Sequence, residues 1–182
     1  MLDVSAKWRP EPDWTLARLA GPNLTIGTVA GLTQRLVSGD VERFLARHDL
    51  GKDIGALGLA VGERYVVRVA RDRLLVVGIS SGELADGWHD EGWAATTVSA
   101  ALRVIEAKGD GVRDLLARGT TLDPDNAGPC AAMSFAGMMA TIYRHADTGS
   151  LRIHIDRGLA SYLWEWLECQ PLLGGNGEPV PS

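Results

Sequence analysis

The sequence contains few of the residues that build disulfide frameworks and structural zinc sites. Of its 182 residues only Cys130 and Cys169 are cysteines, and neither belongs to a C-x-x-C pair or has a histidine close by. Disulfide scaffolds and zinc sites need cysteines or histidines clustered at defined spacings. We therefore expect both thiols to be reduced and packed inside the protein.

Long apolar runs are missing as well. The longest mostly apolar stretch, residues 131–143, is interrupted by Ser134, Gly137 and Thr141, whereas a membrane-spanning helix needs about 20 apolar residues. The first residues, MLDVSAKWRPEPDW, include Asp3 and have no apolar run behind a basic start, unlike a secretory signal. We expect a cytoplasmic protein that has no membrane partner.

Excess positive charge is also absent. The net charge is −5 and the isoelectric point is about 5.3, whereas nucleic-acid-binding domains carry a basic patch or stripe. The composition is otherwise that of a globular domain, with 46% apolar and 23% charged residues. We expect one folded domain and no nucleic-acid partner.

Motifs that bind nucleotides or metal ions are incomplete. The glycines of GALGLAVG, residues 55–62, lack the G-x-G-x-x-G spacing of a dinucleotide site. The segment DPDNAG, residues 123–128, begins like a calcium-binding loop but has Ala127 and Ser134 where that loop requires ligands. Neither pattern predicts a cofactor or metal site, and we interpret the second as a turn.

The four histidines offer no catalytic cluster, because they fall on separate predicted elements. His89 is flanked by Asp90 and Glu91, but this group lacks the spacing of a metal site, so we predict a solvated loop. His154 falls on the polar face of a predicted strand, and we expect it at the surface. The serines lack the G-x-S-x-G surroundings of an activated nucleophile. We therefore predict no catalytic residue and no metal ligand.

The two ends of the chain differ in composition from its middle. Residues 1–22 contain Trp8, Trp14 and three prolines without helical or strand periodicity, which predicts an extended arm. Residues 173–182 are mainly turn formers and predict a flexible tail. Between these ends, residues 23–172 are predicted to form a single α+β domain.

The first half of this domain has the pattern strand, helix, hairpin. An apolar strand over residues 32–38 leads to Asp40, a predicted N-cap, and to a helix whose apolar face includes Phe44. Two β-rich runs, residues 65–70 and 74–78, are separated by a short turn and predict a hairpin.

The second half repeats this pattern. Residues 95–107 predict a strand, and Asp110 is the predicted N-cap of a helix that contains Leu116. Residues 151–155 alternate apolar and polar side chains, as in a half-buried strand. We predict an α+β fold in which two split βαβ (ferredoxin-like) halves share an antiparallel sheet.

The closing helix has apolar residues at helical spacing. Its predicted core stripe consists of Leu159, Tyr162, Leu163, Trp166 and Leu167. Trp164 lies about 200° from Trp166 around the helix, so we predict that it lies on the outer face. Together with Trp8 and Trp14 of the arm, it forms our candidate partner surface. The alternative is that the arm folds back and Trp8 or Trp14 covers Trp164 within the same chain.

Three segments of the second half follow one another in a characteristic order. They are LRVIEAKGDGVRDLLARGTTLDPD at residues 102–125, GPC at residues 128–130 and RIHIDRGLASYLWEWL at residues 152–167. In this order, from Val98 onward, the sequence resembles the sarcosine oxidase gamma-subunit family. In the first half, GLTQRLVSGD and RYVVRVARDRLLVVG match the family in pattern. The resemblance implies the fold of the folate-binding domain of the glycine-cleavage T-protein and other aminomethyltransferases.

The resemblance also implies a function. In this family the chain is a non-catalytic, structural subunit of a heterotetrameric sarcosine oxidase-like flavoenzyme, which oxidatively demethylates sarcosine or a related N-methyl amine. The one-carbon unit passes to tetrahydrofolate, and FAD, FMN, NAD and tetrahydrofolate are held by the larger flavoprotein subunits rather than by this chain. The sequence lacks the asparagine, paired glycines and acidic residue of catalytic T-proteins. The alternative is a stand-alone folate- or one-carbon-binding protein of the same fold without its own catalysis.

Overall fold

Short β-rich runs alternate with turns that contain glycine and aspartate, and this pattern produces a mainly β protein. A computed structural model describes residues 10–173. Its strands are β1 (Arg18–Ala20), β2 (Thr25–Thr28), β3 (Gln34–Gly39), β4 (Leu59–Ala60), β5 (Tyr65–Ala70), β6 (Arg73–Val77), β7 (Gly87–His89), β8 (Trp93–Thr97), β9 (Leu102–Lys108), β10 (Ala132–Phe135), β11 (Met138–His145) and β12 (Ser150–Asp156). Its helices are α1 (Val41–His48), α2 (Val112–Gly119) and α3 (Ala160–Glu168), with 3₁₀ turns at Arg157–Leu159 and Pro171–Leu173. No helix within residues 10–173 is long and apolar enough to cross a membrane.

The strands form two sheets, where the sequence predicts one. Within residues 10–173, a seven-stranded sheet has the order β1-β2-β9-β12-β11-β10, with β4 added beside β11. A five-stranded sheet has the order β5-β6-β3-β8-β7. Neighbouring strands are antiparallel, except that β4 runs parallel to β11. The predicted α+β class with antiparallel pairing is confirmed, but each half builds the centre of its own sheet.

The two halves exchange their leading hairpins. The β1–β2 hairpin precedes the first half in sequence, yet it pairs with β9 of the second half, with Ile26 opposite Ala107. The β7–β8 hairpin precedes the second half, yet it pairs with β3 of the first half, with Ala95 opposite Val37. Each sheet is therefore completed by a hairpin that precedes the other half in sequence.

The exchange corrects two predicted boundaries. The strand predicted over residues 95–107 is broken by a turn in which the Ala101 amide donates to the Val98 carbonyl oxygen over 3.0 Å. Its two parts, β8 and β9, therefore enter different sheets. The arm predicted over residues 1–22 contains β1, which is hydrogen-bonded to β2. The last residues of that segment are thus part of the seven-stranded sheet.

Both helices that follow the central strands are present, but only one has the predicted cap. At the start of α1 the Asp40 carboxylate accepts a hydrogen bond from the Arg43 amide over 3.1 Å. At α2 the cap position is Gly111, which makes no side-chain hydrogen bond, so the prediction of Asp110 is one residue early. The Gly111 amide instead donates to the Asn23 carbonyl oxygen over 2.9 Å, a close approach that a side chain at this position would crowd.

The helices cover the outer faces of the two sheets. α2 and α3 pack on the seven-stranded sheet through residues such as Leu116. α1 packs on the five-stranded sheet through Phe44. The inner faces meet around an apolar cluster that includes Val67, Leu75 and Tyr143. The inner layer is the part of the fold in which side chains of both sheets come together.

Replacing Leu116 by alanine should lower the free energy of unfolding by about 2–5 kcal/mol, because Leu116 is fully buried and its loss leaves a cavity. The burial of this residue confirms the predicted face of α2. Chemical denaturation measures the change, and Arg118→Ala on the exposed side of the same helix is the matched control. Equal effects of the two substitutions would contradict this packing.

Candidate functional site

The inner face of β12 places polar side chains in the layer between the sheets. The apolar residues of β12 face α2 and α3, so Arg152 and His154, which alternate with them, face the five-stranded sheet. Both are buried, with 2% of the His154 surface exposed. The expectation that His154 lies at the surface is therefore wrong, because the second sheet covers it. Buried polar groups of this kind require hydrogen-bond partners inside the protein.

Five side chains from both sheets form one hydrogen-bonded chain across this layer. Arg152 Nη1 lies 2.6 Å from the Tyr65 hydroxyl oxygen, which lies 2.8 Å from the Tyr143 hydroxyl oxygen. The Tyr143 hydroxyl lies 2.6 Å from His154 Nε2. His154 Nδ1 lies 2.6 Å from Gln34 Oε1. We call these five residues the inter-sheet chain, and three of its four links join one sheet to the other.

The groups at the two ends of the inter-sheet chain determine which atom donates and which accepts in each of its hydrogen bonds. Gln34 Oε1 can only accept, so His154 Nδ1 carries the proton and His154 Nε2 accepts from the Tyr143 hydroxyl. The Tyr143 oxygen is then free to accept from the Tyr65 hydroxyl. Arg152 can only donate, and it donates to the Tyr65 oxygen. Every member therefore has a partner, and His154 is neutral with its proton on Nδ1.

Burial keeps His154 and Tyr143, two members of the inter-sheet chain, uncharged. Loss of hydration lowers the pKa of His154 to about 3, and the positive charge of Arg152 acts in the same direction. Burial also raises the pKa of the Tyr143 hydroxyl, and the neighbouring Tyr65 adds to the shift. At neutral pH the charge of the inter-sheet chain is confined to Arg152.

Glu106 balances the charge of Arg152 at the edge of the layer. Glu106 Oε1 accepts from Arg152 Nε over 3.2 Å, and Glu106 Oε2 lies 2.5 Å from Lys108 Nζ. Burial acts to raise the pKa of the Glu106 carboxyl, but Lys108 and Arg152 outweigh it and hold that pKa below its usual range. Beside Glu106 lies a groove of about 190 Å³, also lined by Arg18 and Gly27. We call it the Gly27 groove.

The inter-sheet chain joins the sheets through hydrogen bonds among its own members, and Arg152 extends it to Glu106. A buried hydrogen-bonded network of this kind fixes the relative position of the elements that it connects. Its interior members are buried and already paired. The Gly27 groove, at the Glu106 end, is where charged groups connected to this network reach the surface.

The structure changes the predicted position of the tryptophans. Trp8 lies outside the described residues. Trp164 is buried, with 3% of its surface exposed, so the prediction that it lies on the outer face of the closing helix is wrong. Trp14 is half-buried, and its ring centroid lies 5.9 Å from that of Trp164 in an edge-to-face arrangement. The arm thus covers Trp164 within the same chain, which is the alternative arrangement predicted from the sequence.

The error has a physical cause in the phase of α3. The predicted stripe begins at Leu159, but Leu159 closes a 3₁₀ turn and is 37% exposed. Because 3₁₀ geometry has three residues per turn, spacing counted from that turn is out of phase with α3. The buried stripe of α3 begins at Ala160 and consists of Ala160, Leu163, Trp164 and Leu167. Trp166 is half-buried and packs edge-to-face on Phe135 at 5.4 Å between ring centroids.

The group around His89 is also more ordered than predicted. His89 belongs to β7 and stacks on Trp93, with ring centroids 3.7 Å apart. Its Nε2 lies 3.0 Å from the Ala85 carbonyl oxygen, whereas Asp90 and Glu91 are exposed. The predicted solvated loop is therefore wrong for the histidine. Within residues 10–173, no three His, Cys, Asp or Glu side chains are placed to hold a metal ion.

The two cysteines are free thiols, as predicted, but they differ in environment. Cys130 is half-buried, and its Sγ lies 3.0 Å from the Val69 carbonyl oxygen. Cys169 is exposed at the end of α3. The expectation of a packed thiol therefore does not hold for Cys169.

Sequence reasoning missed the inter-sheet chain. Because Arg152 and His154 alternate with apolar residues, the local pattern predicts that they lie on the solvent face of β12, as in a one-sided sheet. Gln34 and Tyr65 begin β3 and β5 and carried no motif. The available signal was the repeat of the strand–helix–hairpin pattern, because two such halves can form two sheets whose inner faces cover each other.

Comparison with known proteins identifies the fold. No protein-family model and no curated protein sequence matches the chain. Among solved structures it is similar to a chain of the heterotetrameric sarcosine oxidase from Corynebacterium sp. U-96 in complex with pyrrole 2-carboxylate. The TM-score is 0.60 and the identity 21%, over 82% of this chain and 85% of that chain. It is also similar to the glycine cleavage system aminomethyltransferase T from Bartonella henselae, with a TM-score of 0.52 and 17% identity, over 83% of this chain and 47% of that chain.

At these identities the likeness shows a shared fold. The resemblance drawn from the sequence is confirmed at this level, because both structures come from the two protein groups that the motifs indicated. The chain has the α+β fold with antiparallel sheets of these aminomethyltransferase-like proteins.

Proposed function

We propose that the chain is a non-catalytic, structural subunit of a hetero-oligomeric flavoenzyme resembling heterotetrameric sarcosine oxidase. The observation that carries this proposal is the extent of the structural likeness. It spans 82% of this chain and 85% of the sarcosine oxidase chain, so the two chains are of similar length. The likeness to the aminomethyltransferase spans only 47% of that enzyme. The chain therefore corresponds to most of a subunit in one case and to about half of an enzyme in the other.

The interior of the fold supports a structural role. The polar groups between the sheets bind one another, from Arg152 through Tyr143 to Gln34. In this arrangement the side chains that line the centre of the domain hold the two sheets together. A domain of this kind can present a rigid surface to other subunits.

The surface supports assembly with other chains. Trp88 on the edge strand β7 is 71% exposed, and Met139 and Tyr162 are exposed to a similar extent. Tryptophan is enriched among the residues that dominate binding energy at protein interfaces, so Trp88 is the residue of this group that best fits a contact with another chain. We propose that the exposed part of Trp14 also belongs to the partner surface, while Trp164 beneath it supports that position from the core.

The finer assignments follow the resemblance of the sequence motifs. We propose that the partners are larger flavoprotein subunits, which bind FAD, FMN, NAD and tetrahydrofolate and oxidatively demethylate sarcosine or a related N-methyl amine. The one-carbon unit would pass to tetrahydrofolate on those subunits. This chain would hold none of these cofactors, and the complex would reside in the cytoplasm.

Affinity purification of the tagged chain from its native host tests the proposal. We expect larger, flavin-containing subunits to co-purify at a fixed ratio, and the complex to oxidise an N-methyl amine. The chain expressed alone should carry no flavin and should not bind tetrahydrofolate. Purification of the chain from its host without partners would contradict the proposal. Saturable binding of tetrahydrofolate to the isolated chain would favour the stand-alone folate-binding protein instead.

A further inference from the structure

The Gly27 groove lies on the inner face of the seven-stranded sheet, where β1 and β2 extend the sheet beyond β9. Its position follows from the register of the strands. Gly27 lies opposite Arg18 on one side and opposite Glu106 on the other, and Glu106 lies opposite Arg152. These four residues form one row across four strands. Opposite residues share a face of the sheet, so the side chains of the row are neighbours.

The missing side chain at Gly27 creates the space in this row. A Cβ atom built on Gly27 would meet nothing closer than the Ala17 carbonyl oxygen at 3.8 Å, which is ordinary contact. There is therefore space for a side chain at position 27, and steric crowding does not explain the glycine. Glycine in a strand weakens it and often marks a place where another molecule approaches the backbone. Here it leaves a gap between the side chains of Arg18 and Glu106.

The charges around this gap favour an anion. Glu106 is shared between Arg152 and Lys108, so the negative charge of the row is already balanced. Arg18 makes no ion pair with any residue of the described part of the chain. Arg18 thus lines the gap without an ion-pair partner of its own, while the carboxylate on the other side of the gap, Glu106, is taken up by Lys108 and Arg152. A single negative charge placed there would be attracted by both Arg18 and Lys108.

We propose that the Gly27 groove binds a small monocarboxylate, whose carboxylate rests on Gly27 and is held by Arg18 and Lys108. The planar guanidinium of arginine matches the two oxygens of a carboxylate. A groove of about 190 Å³ has room for roughly six water molecules, which limits the ligand to a small molecule. A free cation is disfavoured at this position because Arg18 and Lys108 line the groove and Glu106, its one carboxylate, is already paired with Lys108 and Arg152. The site is independent of the proposed function, because it lies entirely within this chain.

Acetate is the probe, and the full-length isolated chain is titrated with it at constant ionic strength. We expect saturable shifts of the backbone amide resonances of Thr25, Gly27 and Lys108, with a dissociation constant on the order of 1–10 mM. Methylammonium chloride should produce no shift at these amides. Phosphate at equal ionic strength separates a carboxylate site from a general anion site, and acetate should bind at least about ten times more tightly.

Two variants and one control locate the site. Gly27→Val fills the gap with a residue that suits a strand, so it should abolish acetate binding without lowering the melting temperature. Arg18→Gln should weaken binding at least about tenfold. Arg73→Gln removes the same charge from an exposed strand position in the other sheet and should leave the affinity unchanged.

The proposal is wrong if acetate shifts do not saturate, or if Gly27→Val binds acetate as the unmodified chain does. Tighter binding of phosphate than of acetate would overturn the carboxylate assignment. Because acetate binding is measured without partners, a negative result leaves the test of subunit assembly untouched. Loss of assembly in the native host would, in turn, leave the acetate titration unaffected.

Discussion

Replacing Trp164 by alanine is expected to lower the free energy of unfolding of the isolated chain by about 3–5 kcal/mol. Trp164 lies in the core between α3 and the seven-stranded sheet, where 3% of its surface is exposed. Its removal leaves a large cavity beneath the arm, and Trp14 loses the ring on which it packs. Urea denaturation followed by circular dichroism measures the change.

A second substitution on the same helix provides the control. Tyr162 is 62% exposed, so Tyr162→Ala should change the free energy of unfolding by less than about 0.5 kcal/mol. A Trp164→Ala chain that unfolds like the unmodified protein and fails only to assemble with partners would contradict the burial of Trp164. It would restore the outer-face position that the sequence predicts.

The helix faces that the sequence predicts correctly are those with a clear starting point. In α1 the Asp40 side chain caps the helix, so the spacing counted from it places Phe44 in the core. Leu116 in α2 is also buried as predicted. In α3 the start is obscured, because a 3₁₀ turn precedes Ala160. A phase error of one residue rotates the helix by about 100°, which brings Trp164 into the buried stripe and moves Trp166 to its edge.

The local sequence pattern of β12 predicts the environment of one face of the strand but not of the other. Its alternation correctly predicts a strand with Leu151, Ile153 and Ile155 in the core. The pattern cannot reveal what covers the other face, because that depends on a sheet formed by residues far away in sequence. Arg152 and His154 are buried by β5 and β3. The local sequence around them contains no sign of these strands and therefore predicts surface residues.

The exchange of hairpins between the halves also depends on contacts between residues that are far apart in sequence. The sequence predicts a hairpin over residues 65–70 and 74–78, which is correct because its partners are adjacent. The β7–β8 and β1–β2 hairpins each complete the sheet of the other half, which local sequence does not specify. The sequence therefore predicts the class of fold and most of its elements, whereas the second sheet and the Gly27 groove follow from long-range pairing.

The stability of the chain should fall steeply in mild acid because of His154. In the folded protein burial lowers the pKa of His154 to about 3, whereas an unfolded histidine has a pKa of about 6.5. The folded state therefore excludes a proton that the unfolded state accepts. The stabilising contribution is complete above about pH 6.5 and is lost progressively as the pH falls toward 3. Between pH 7 and pH 4 this residue alone should lower the free energy of unfolding by about 3 kcal/mol.

The test compares the pH dependence of unfolding in the unmodified chain and in His154→Gln. Glutamine keeps hydrogen-bonding groups within the inter-sheet chain but does not titrate, so the variant should be less stable at pH 7 and lose less stability toward pH 4. All other residues are the same in both proteins, so their contributions cancel in the difference. Burial also lowers the pKa of His145, but His145 is only half-buried, so His145→Gln should remove a smaller part of the slope. Parallel stability curves for the unmodified chain and His154→Gln between pH 7 and pH 4 would show that His154 is not held neutral by burial.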